Sequence, residues 1–240
     1  MRLSPNPRVQ LSAYSPHEVN QMSSNEERPA ASGLSDEALD QLFRTARSFS
    51  YWLEKPVDDD TLRRLYELMK LGPTSANGSP ARFLFLRTPA AKQRLIPALS
   101  PTNVEKVRTA PVTAIIGYDL HFYERMPTLF PHAPGYRDVF AKSPELAEVT
   151  ARRNSSLQGA YLMVAARALG LDCGPLSGFD SAKVDQEFFG SGKNVDDCDQ
   201  EFFPLTHVRT NFLCNIGYGD RSQLHPRNPR LSFEEACALL

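Results

Sequence analysis

The chain has 240 residues, with 27 Lys and Arg against 28 Asp and Glu and a formal net charge of −1. Such a balance leaves no basic footprint for nucleic acid or an anionic membrane surface, and no apolar run reaches the roughly 18–20 residues that a membrane-spanning helix needs. With 41 % hydrophobic and 23 % charged residues the composition is that of a globular protein, and without a basic-then-apolar leader pattern at the start a cytoplasmic location is expected.

Residues 1 to 33 are polar, carry Pro5, Pro7, Pro16 and Pro29, and show little periodicity. They read as a disordered tail, with Met22 a plausible start of a shorter product and a folded domain over 34–240. Ser35-Asp36-Glu37 is a helix-start signal, followed by Leu39, Leu42, Phe43 and Ala46 at helical spacing. A second helix is expected from Asp59 to Leu71, with a stripe of Leu62, Leu65, Tyr66, Met69 and Leu71 that Gly72-Pro73 ends. Phe83–Leu86 is a continuous apolar run, hence a strand covered on both faces. Pro89–Leu99 reads as helix and Pro111–Tyr118, rich in β-branched residues, as a second buried strand.

Residues 119–143 are aromatic and Pro-rich, with no core pattern, and read as a flap or short helices over a site. Ser143-Pro144-Glu145 opens a long helix that runs to Gly170. About 26 residues at about 1.5 Å each make it about 39 Å long, more than a small monomer core requires. Its small residues Ala151, Ser155, Ser156, Gly159 and Ala160 suit close helix packing, for which a dimer seam is the economical explanation. Leu171–Phe179 is a strand-loop unit, Asp180–Phe189 a short helix, 190–208 a polar insertion and Asn211–Gly217 the last strand. The insertion repeats Asp185-Gln186-Glu187-Phe188-Phe189 as Asp199-Gln200-Glu201-Phe202-Phe203, which reads as a local duplication. Ser232-Phe233-Glu234-Glu235 opens a final helical turn. Strands alternating with helices suggest a central sheet covered on both faces.

Cys173, Cys198, Cys214 and Cys237 show neither a C-x-x-C pair nor metal-ligand spacing and read as free thiols. The histidines are scattered, so no metal is expected. No G-x-G-x-x-G follows the first strand and no Walker loop occurs. Two other segments carry chemistry. Arg47-Ser48 near a helix end offers a charge and a hydroxyl for a phosphate and a ring edge. Gly72-Pro73-Thr74-Ser75-Ala76-Asn77 offers hydroxyls, an amide and backbone N–H groups to a flat heterocycle. The pair suggests a flavin. A flavin mononucleotide (FMN) needs cations and donors for its phosphate, partners for its pyrimidine edge, and a donor and an open face at N5. Arg47, Arg227 and Arg230 either meet that phosphate or are surface arginines. Asn103 and Lys106 either reach a ring carbonyl and a ribityl hydroxyl or form a solvated helix end. Gly174-Pro175-Leu176-Ser177-Gly178 either lets backbone approach a ring, as glycine permits, or is a plain turn.

Taken in order, Ala46-Arg47-Ser48, Gly72-Pro73-Thr74-Ser75-Ala76-Asn77, Ala151-Arg152-Arg153-Asn154-Ser155-Ser156, Cys173-Gly174-Pro175-Leu176-Ser177-Gly178-Phe179-Asp180 and Asn215-Ile216-Gly217-Tyr218-Gly219-Asp220 resemble the nitroreductase-like flavoproteins. Within them they are most similar to the malonic semialdehyde reductase branch of pyrimidine degradation, and Pro229-Arg230-Leu231-Ser232-Phe233-Glu234-Glu235 adds a sixth segment. The resemblance implies an α+β fold with a central, mainly antiparallel sheet flanked by helices, an intertwined homodimer, FMN as cofactor and NADPH or NADH as electron donor. It puts Arg47, Ser48 and Ser50 in the first flavin segment. It puts Pro73, Thr74, Ser75 and Asn77 on the loop that meets the partner's ring, and Asn103 and Lys106 on ring and ribityl contacts. Pro175, Leu176, Ser177 and Gly178 fall beside the ring face and N5, and Arg230, with Arg227, on the phosphate. Two departures stand out: the family often has a basic residue where this chain has Ser50, and Ala46 replaces another arginine.

The activity implied is reduction of a small aldehyde, malonic semialdehyde, to 3-hydroxypropanoate, with flavin N5 carrying the hydride and no side chain required as general acid. Its carboxylate calls for a cation, for which Arg125, Arg137 and Arg153 are the candidates. The alternatives are a broad quinone or nitroaromatic reductase, since fold and flavin do not determine the substrate, and a non-catalytic flavin-binding protein capped by the aromatic flap.

Overall fold

The strands follow the apolar runs. β1 (Ala81–Leu86), β2 (Val112–Asp119), β3 (Asp172–Leu176) and β4 (Val208–Gly217) form one sheet in the order β1-β2-β4-β3. Every neighbouring pair is antiparallel, as the resemblance implies. β1 and β4 begin earlier than their apolar runs do, because ladder pairing with β2 continues past the last hydrophobic side chain. Gly174, Pro175 and Leu176, expected in a loop, belong to β3; β3 is an edge strand, where a proline costs no ladder bond. The computed structural model describes residues 32–190 and 206–240, with Asp36–Leu240 as one compact unit. The expected tail, most of the insertion, its repeat and Cys198 lie outside the described residues.

The helices begin where capping chemistry allows. α1 (Asp36–Leu39) is short and passes into a π-helical turn over Asp40–Arg44, where the spacing predicts one regular helix. α2 (Asp59–Met69) starts at Asp58, whose carboxylate accepts from Thr61 N at 2.7 Å. It buries Leu62, Leu65 and Met69, while Tyr66 and Leu71, predicted to join the stripe, are exposed. α3 (Pro89–Leu95) is capped by Thr88 and ends in a 3₁₀ turn, Ile96–Ala98. α4 (Pro101–Thr109) follows at once. The flap holds a 3₁₀ turn, Phe122–Arg125, then α5 (Met126–Leu129) and α6 (Tyr136–Ala141). α7 (Pro144–Ala168) has Pro144 at its first turn, but Ser143 makes no capping side-chain bond. α8 (Ser181–Phe188) is capped by Asp180, and α9 (Phe233–Ala236) by a reciprocal Ser232–Glu235 box. Among the described residues no helix is long and apolar enough to cross a membrane.

All eight residues of β2 are buried, so both faces of the sheet are covered. Strand alternation sorts the side chains. Val112, Ala114, Ile116, Cys214 and Ile216 face α2 and α7; Ile115 and Leu213 face Leu95, Val107, Val184 and Phe188 from α3, α4 and α8. The flap is not free of core: Phe122, Met126 and Phe140 are buried with Tyr118, Ala147 and Ala151. Its aromatic residues lack periodicity because they come from three short helices folded on one another. The small residues of α7 are explained within the subunit too. A Cβ on Gly159 would lie 2.3 Å from the Phe212 ring, and Ser155 Oγ donates to the Gly117 carbonyl at 3.0 Å. Ala151, Ser155 and Gly159 thus let α7 approach its own sheet, which corrects their reading as a dimer seam.

α4 leaves its last carbonyls without intrahelical partners. One of its caps is the buried Lys92, whose Nζ donates to the Ala110 carbonyl. Burial pushes the Lys92 pKa down, whereas in the unfolded chain it titrates near ~10.4. The unfolded chain therefore holds the proton longer, and stability rises as pH climbs from the lowered folded value towards the unfolded one. Lys92→Met should remove this rise and leave Ala110 without its donor, costing about 1–3 kcal/mol; urea titrations at a series of alkaline pH values up to about 10.4 measure both effects.

Candidate functional site

The segment after the π-helical turn is sewn to the edge of β3 and to the residues that follow β4. Phe49 N donates to the Cys173 carbonyl at 3.0 Å, Leu53 N to that of Tyr218 at 2.8 Å, and Asp220 N to that of Tyr51 at 2.9 Å. Phe49 and Trp52 turn inward and are buried with Ala110. Gly174 makes the approach feasible, since a Cβ there would lie 2.2 Å from the Phe49 carbonyl oxygen. With Phe49 and Trp52 committed to the core, Arg47, Ser48, Ser50 and Tyr51 face the other way, into a cavity of about 760 Å³.

Four parts of the chain bring cations to that cavity: Arg47 from the edge segment, Lys106 from α4, Arg167 from the last turn of α7, and Arg227 and Arg230 from the stretch after β4. Arg47 Nη2 donates to the His225 carbonyl at 2.6 Å. Arg227 Nη2 donates to the carbonyls of Arg44 and Ala46, each at 2.7 Å, and Arg230 Nη1 to those of Asn228 and Pro229. Arg167 Nη1 donates to the Leu42 carbonyl at 3.0 Å, while its Nε is buried without a partner. Lys106 Nζ donates to Asn103 Oδ1 at 3.1 Å. Among the described residues no Asp or Glu lines the cavity. Among the described residues none of these five cations forms an ion pair, while Arg44, Arg82, Arg94, Arg108 and Arg137 all do. An acid-free wall of guanidinium groups is a site for an anion with several oxygens.

Of the residues singled out in the sequence, Arg47, Ser48, Ser50, Lys106, Arg227 and Arg230 meet here. Asn103 is buried beside them, its two amide ends engaged: Oδ1 accepts from Lys106, and Nδ2 donates to the Gly178 carbonyl at 3.0 Å. Pro175, Leu176, Ser177 and Gly178 do not line the cavity; they join it through that Asn103 bond. Pro73, Thr74, Ser75 and Asn77 do not reach it either. Their loop is braced by α7 and the flap: Ser75 N donates to Asn154 Oδ1 at 2.8 Å and Asn77 Nδ2 to the Leu129 carbonyl at 2.8 Å. Ala76, Asn77 and Ser79 there hold left-handed φ values of 48°, 50° and 40°, a concentration of strained backbone of the kind found at binding sites.

The three arginines proposed for a substrate carboxylate do not converge. Arg137 is bound to both carboxylate oxygens of Glu124 and to Asp138 and has no fork left to offer. Arg153 is exposed on α7. Arg125 lines a second cavity of about 570 Å³ with Asn77, Lys70 and Phe83. Arg167 was not legible as a site residue: it closes a helical stripe, and only the fold brings the last turn of α7 beside Leu42. The Gln223–Arg230 run did carry a signal, its alternating prolines and basic residues. Cys173 and Cys214 are buried free thiols and Cys237 an exposed one. A hydrogen bond with Cys173, together with burial, raises the Cys214 thiol well above the usual range, which rules out a resting thiolate nucleophile there.

Residues 31–193 match the Nitroreductase family. A Burkholderia lata protein is 56 % identical over 206 residues, which cover 86 % of this chain and 98 % of that one. A Ralstonia nicotianae protein is 50 % identical over 207 residues, 86 % of this chain and 98 % of that one. Both bear names that propose an NADH dehydrogenase/NAD(P)H nitroreductase. The chain belongs to the nitroreductase family. Among solved structures, a Bacillus subtilis protein named for a nitroreductase shares the fold with a TM-score of 0.69 at 19 % identity, over 85 % of this chain and 99 % of that one. An Exiguobacterium sibiricum protein with the same kind of name, solved in complex with FMN, gives 0.67 at 18 % identity, over 88 % of this chain and 100 % of that one.

The cation wall predicts an anion response that needs no flavin. Millimolar pyrophosphate, against sodium chloride of matched ionic strength, should raise the thermal midpoint of the flavin-free protein by mass action. Arg227→Ala and Arg230→Ala should each remove most of that increment, measured by calorimetry.

Proposed function

We propose that this protein is an FMN-dependent oxidoreductase that takes hydride from NADH or NADPH and passes it to a small organic acceptor. The observation that carries the reading is the acid-free cavity wall of Arg47, Arg167, Arg227, Arg230 and Lys106. Its volume is within the roughly 300–1,000 Å³ of cofactor sites, and the unpartnered Nε of Arg167 is a buried donor awaiting an acceptor. In this reading Arg227 and Arg230 hold the phosphate, with Arg47 and Arg167 behind them, because guanidinium forks match phosphate oxygens in pairs. Ser48, Ser50 and Lys106 meet the ribityl and ring atoms, and Asn103 holds Lys106 in place. Bound FMN supplies a two-electron carrier that accepts hydride at N5 from a nicotinamide and returns it to an acceptor. The chain's own part is to orient the cofactor and to keep water from it. The names of the two relatives support NAD(P)H as donor and favour a nitro compound as acceptor; a quinone is the companion reading for a reductase of broad specificity. Reduction of malonic semialdehyde is the narrower reading, supported by the branch-specific segments; Arg125 and Arg153 are then the cations open to its carboxylate.

We infer further that the working form is a homodimer. On the outer face of α7, Leu146, Val149 and Leu157 are exposed at helical spacing, and Arg153, Ser156 and Ala160 are exposed on the same helix. Such a stripe suits a second copy of the chain, and the Pro73–Asn77 loop, absent from its own cation cavity, is then free to serve the partner's.

Purified protein should be yellow or take up added FMN, and NADH or NADPH should bleach the band near ~450 nm under anaerobic conditions. Reoxidation by menadione, a nitroaromatic and malonic semialdehyde then ranks the acceptors. A protein that takes up no FMN refutes the reading, and one whose flavin no nicotinamide reduces is a binding protein. For the dimer, Val149→Glu with Leu157→Glu should convert the sedimenting species from dimer to monomer while the far-ultraviolet circular dichroism stays unchanged; a parent that sediments as a monomer at every concentration disposes of the dimer.

A further inference from the structure

The sheet face beneath α4 carries a polar pair among apolar side chains. Thr113 of β2 and Asn215 of β4 stand directly opposite each other in the ladder, and neither has any exposed surface. Their neighbours on that face, Ile115 and Leu213, pack in a hydrophobic cluster with Val107 of α4. Polar groups in such a place cost free energy unless each is satisfied, and a valine–leucine pair would fill the space without that demand. Both are satisfied, in a directed way. Thr113 Oγ1 donates to Asn215 Oδ1 at 2.6 Å, which turns the amide so that its Nδ2 donates to the Lys106 carbonyl at 2.9 Å.

That carbonyl is in the last turn of α4, among those with no partner inside the helix. The side chain of the same residue stands on the cavity wall. Its Nζ donates to Asn103 Oδ1, and Asn103 Nδ2 donates to the Gly178 carbonyl, which also accepts from Ser100 N at 3.0 Å. One line of hydrogen bonds therefore runs from the middle of the sheet, through the backbone of Lys106, to the ammonium that meets the ligand. The geometry points to Asn215, oriented by Thr113, as a positioning residue for the cofactor: it sets the depth of α4 so that the Lys106 ammonium reaches the bound FMN. The inference rests on the FMN reading above.

The test is a titration of flavin-free protein with FMN, followed by quenching of flavin fluorescence, at several salt concentrations. Thermal unfolding of each flavin-free variant is measured beside it. Lys106→Met should weaken binding about tenfold, the size of one lost charge-assisted contact, and flatten its salt dependence. Asn215→Leu should weaken it about fivefold and Thr113→Val, nearly isosteric, about threefold, both flattening the salt dependence in the same direction. In the Lys106→Met background neither should weaken binding further, because the coupling through Lys106 is already gone. Should Asn215→Leu fail to fold, Thr113→Val carries the same double-variant comparison. Equal losses in both backgrounds, with the salt slope unchanged, would mean that the pair only stabilises the sheet, and the inference falls. If Lys106→Met binds FMN like the parent while Arg230→Ala does not, the cofactor reading stands and the positioning role is wrong. If the parent binds no FMN, the reading beneath both has failed.

Discussion

The described elements are arranged around a sheet whose central strand is covered on both faces. All eight residues of β2 are buried, and up to the register shift at Ile116/Gly117 its ladder partners alternate between the α2–α7 side and the α3–α4–α8 side. A polar ligand has no place on such a sheet, so the site forms where the cover ends, at the edge of β3. An open edge is itself a liability, because its unpaired N–H and C=O groups invite other strands. Here the Arg47–Tyr51 segment occupies part of that edge, bridging Ser48 to Cys173 and donating from Phe49 N. The step that protects the edge also turns Arg47, Ser48 and Ser50 outward into the cavity. Edge protection and ligand recognition are thus done by the same few residues.

The division of charge follows the same logic. Several arginines elsewhere are paired with acids: Arg44 with Asp36 and Asp40, Arg94 with Glu187, Arg108 with Glu105, Arg137 with Glu124. Exposed pairs of this kind add little stability, but they leave no field behind. The five cations of the cavity have backbone carbonyls or an amide as partners instead. A carbonyl holds a guanidinium in place without cancelling its charge, so the wall is both ordered and positive before any ligand arrives.

α7 links this site to the opposite end of the sheet. Its buried amides Asn154 and Gln158 hold Ser75 N and Ala81 N at 2.8 Å, bracing the loop with three left-handed residues at the start of β1. Its last turn delivers Arg167 to the cavity, and Gln41 Nε2 donates to the Arg167 carbonyl at 2.7 Å, tying the helix end to the π-helical turn. A rigid 25-residue helix is a suitable bar for such a connection, because both ends move only if the whole element moves.

The order of elements and the burial of the central strands were legible in the sequence, while Arg47, Arg227 and Arg230 read there either as phosphate partners or as surface arginines. Order and burial depend on local chemistry: apolar runs, caps and prolines mean much the same in any fold. The family resemblance added the mainly antiparallel sheet. What the sequence could not disclose came from contacts between distant segments. Arg167 reads as one more residue of a helix until α7 packs beside Leu42. Gly159 reads as a seam between subunits until Phe212 is seen above it. Phe122, Met126 and Phe140 read as an irregular flap until three short helices close over them. Asn215 reads as part of a strand motif until the β2–β4 register sets it against Thr113 and under Lys106. In each case the side chain's role is decided by which neighbour it meets across the fold, and register and packing, properties of the whole chain, choose that neighbour.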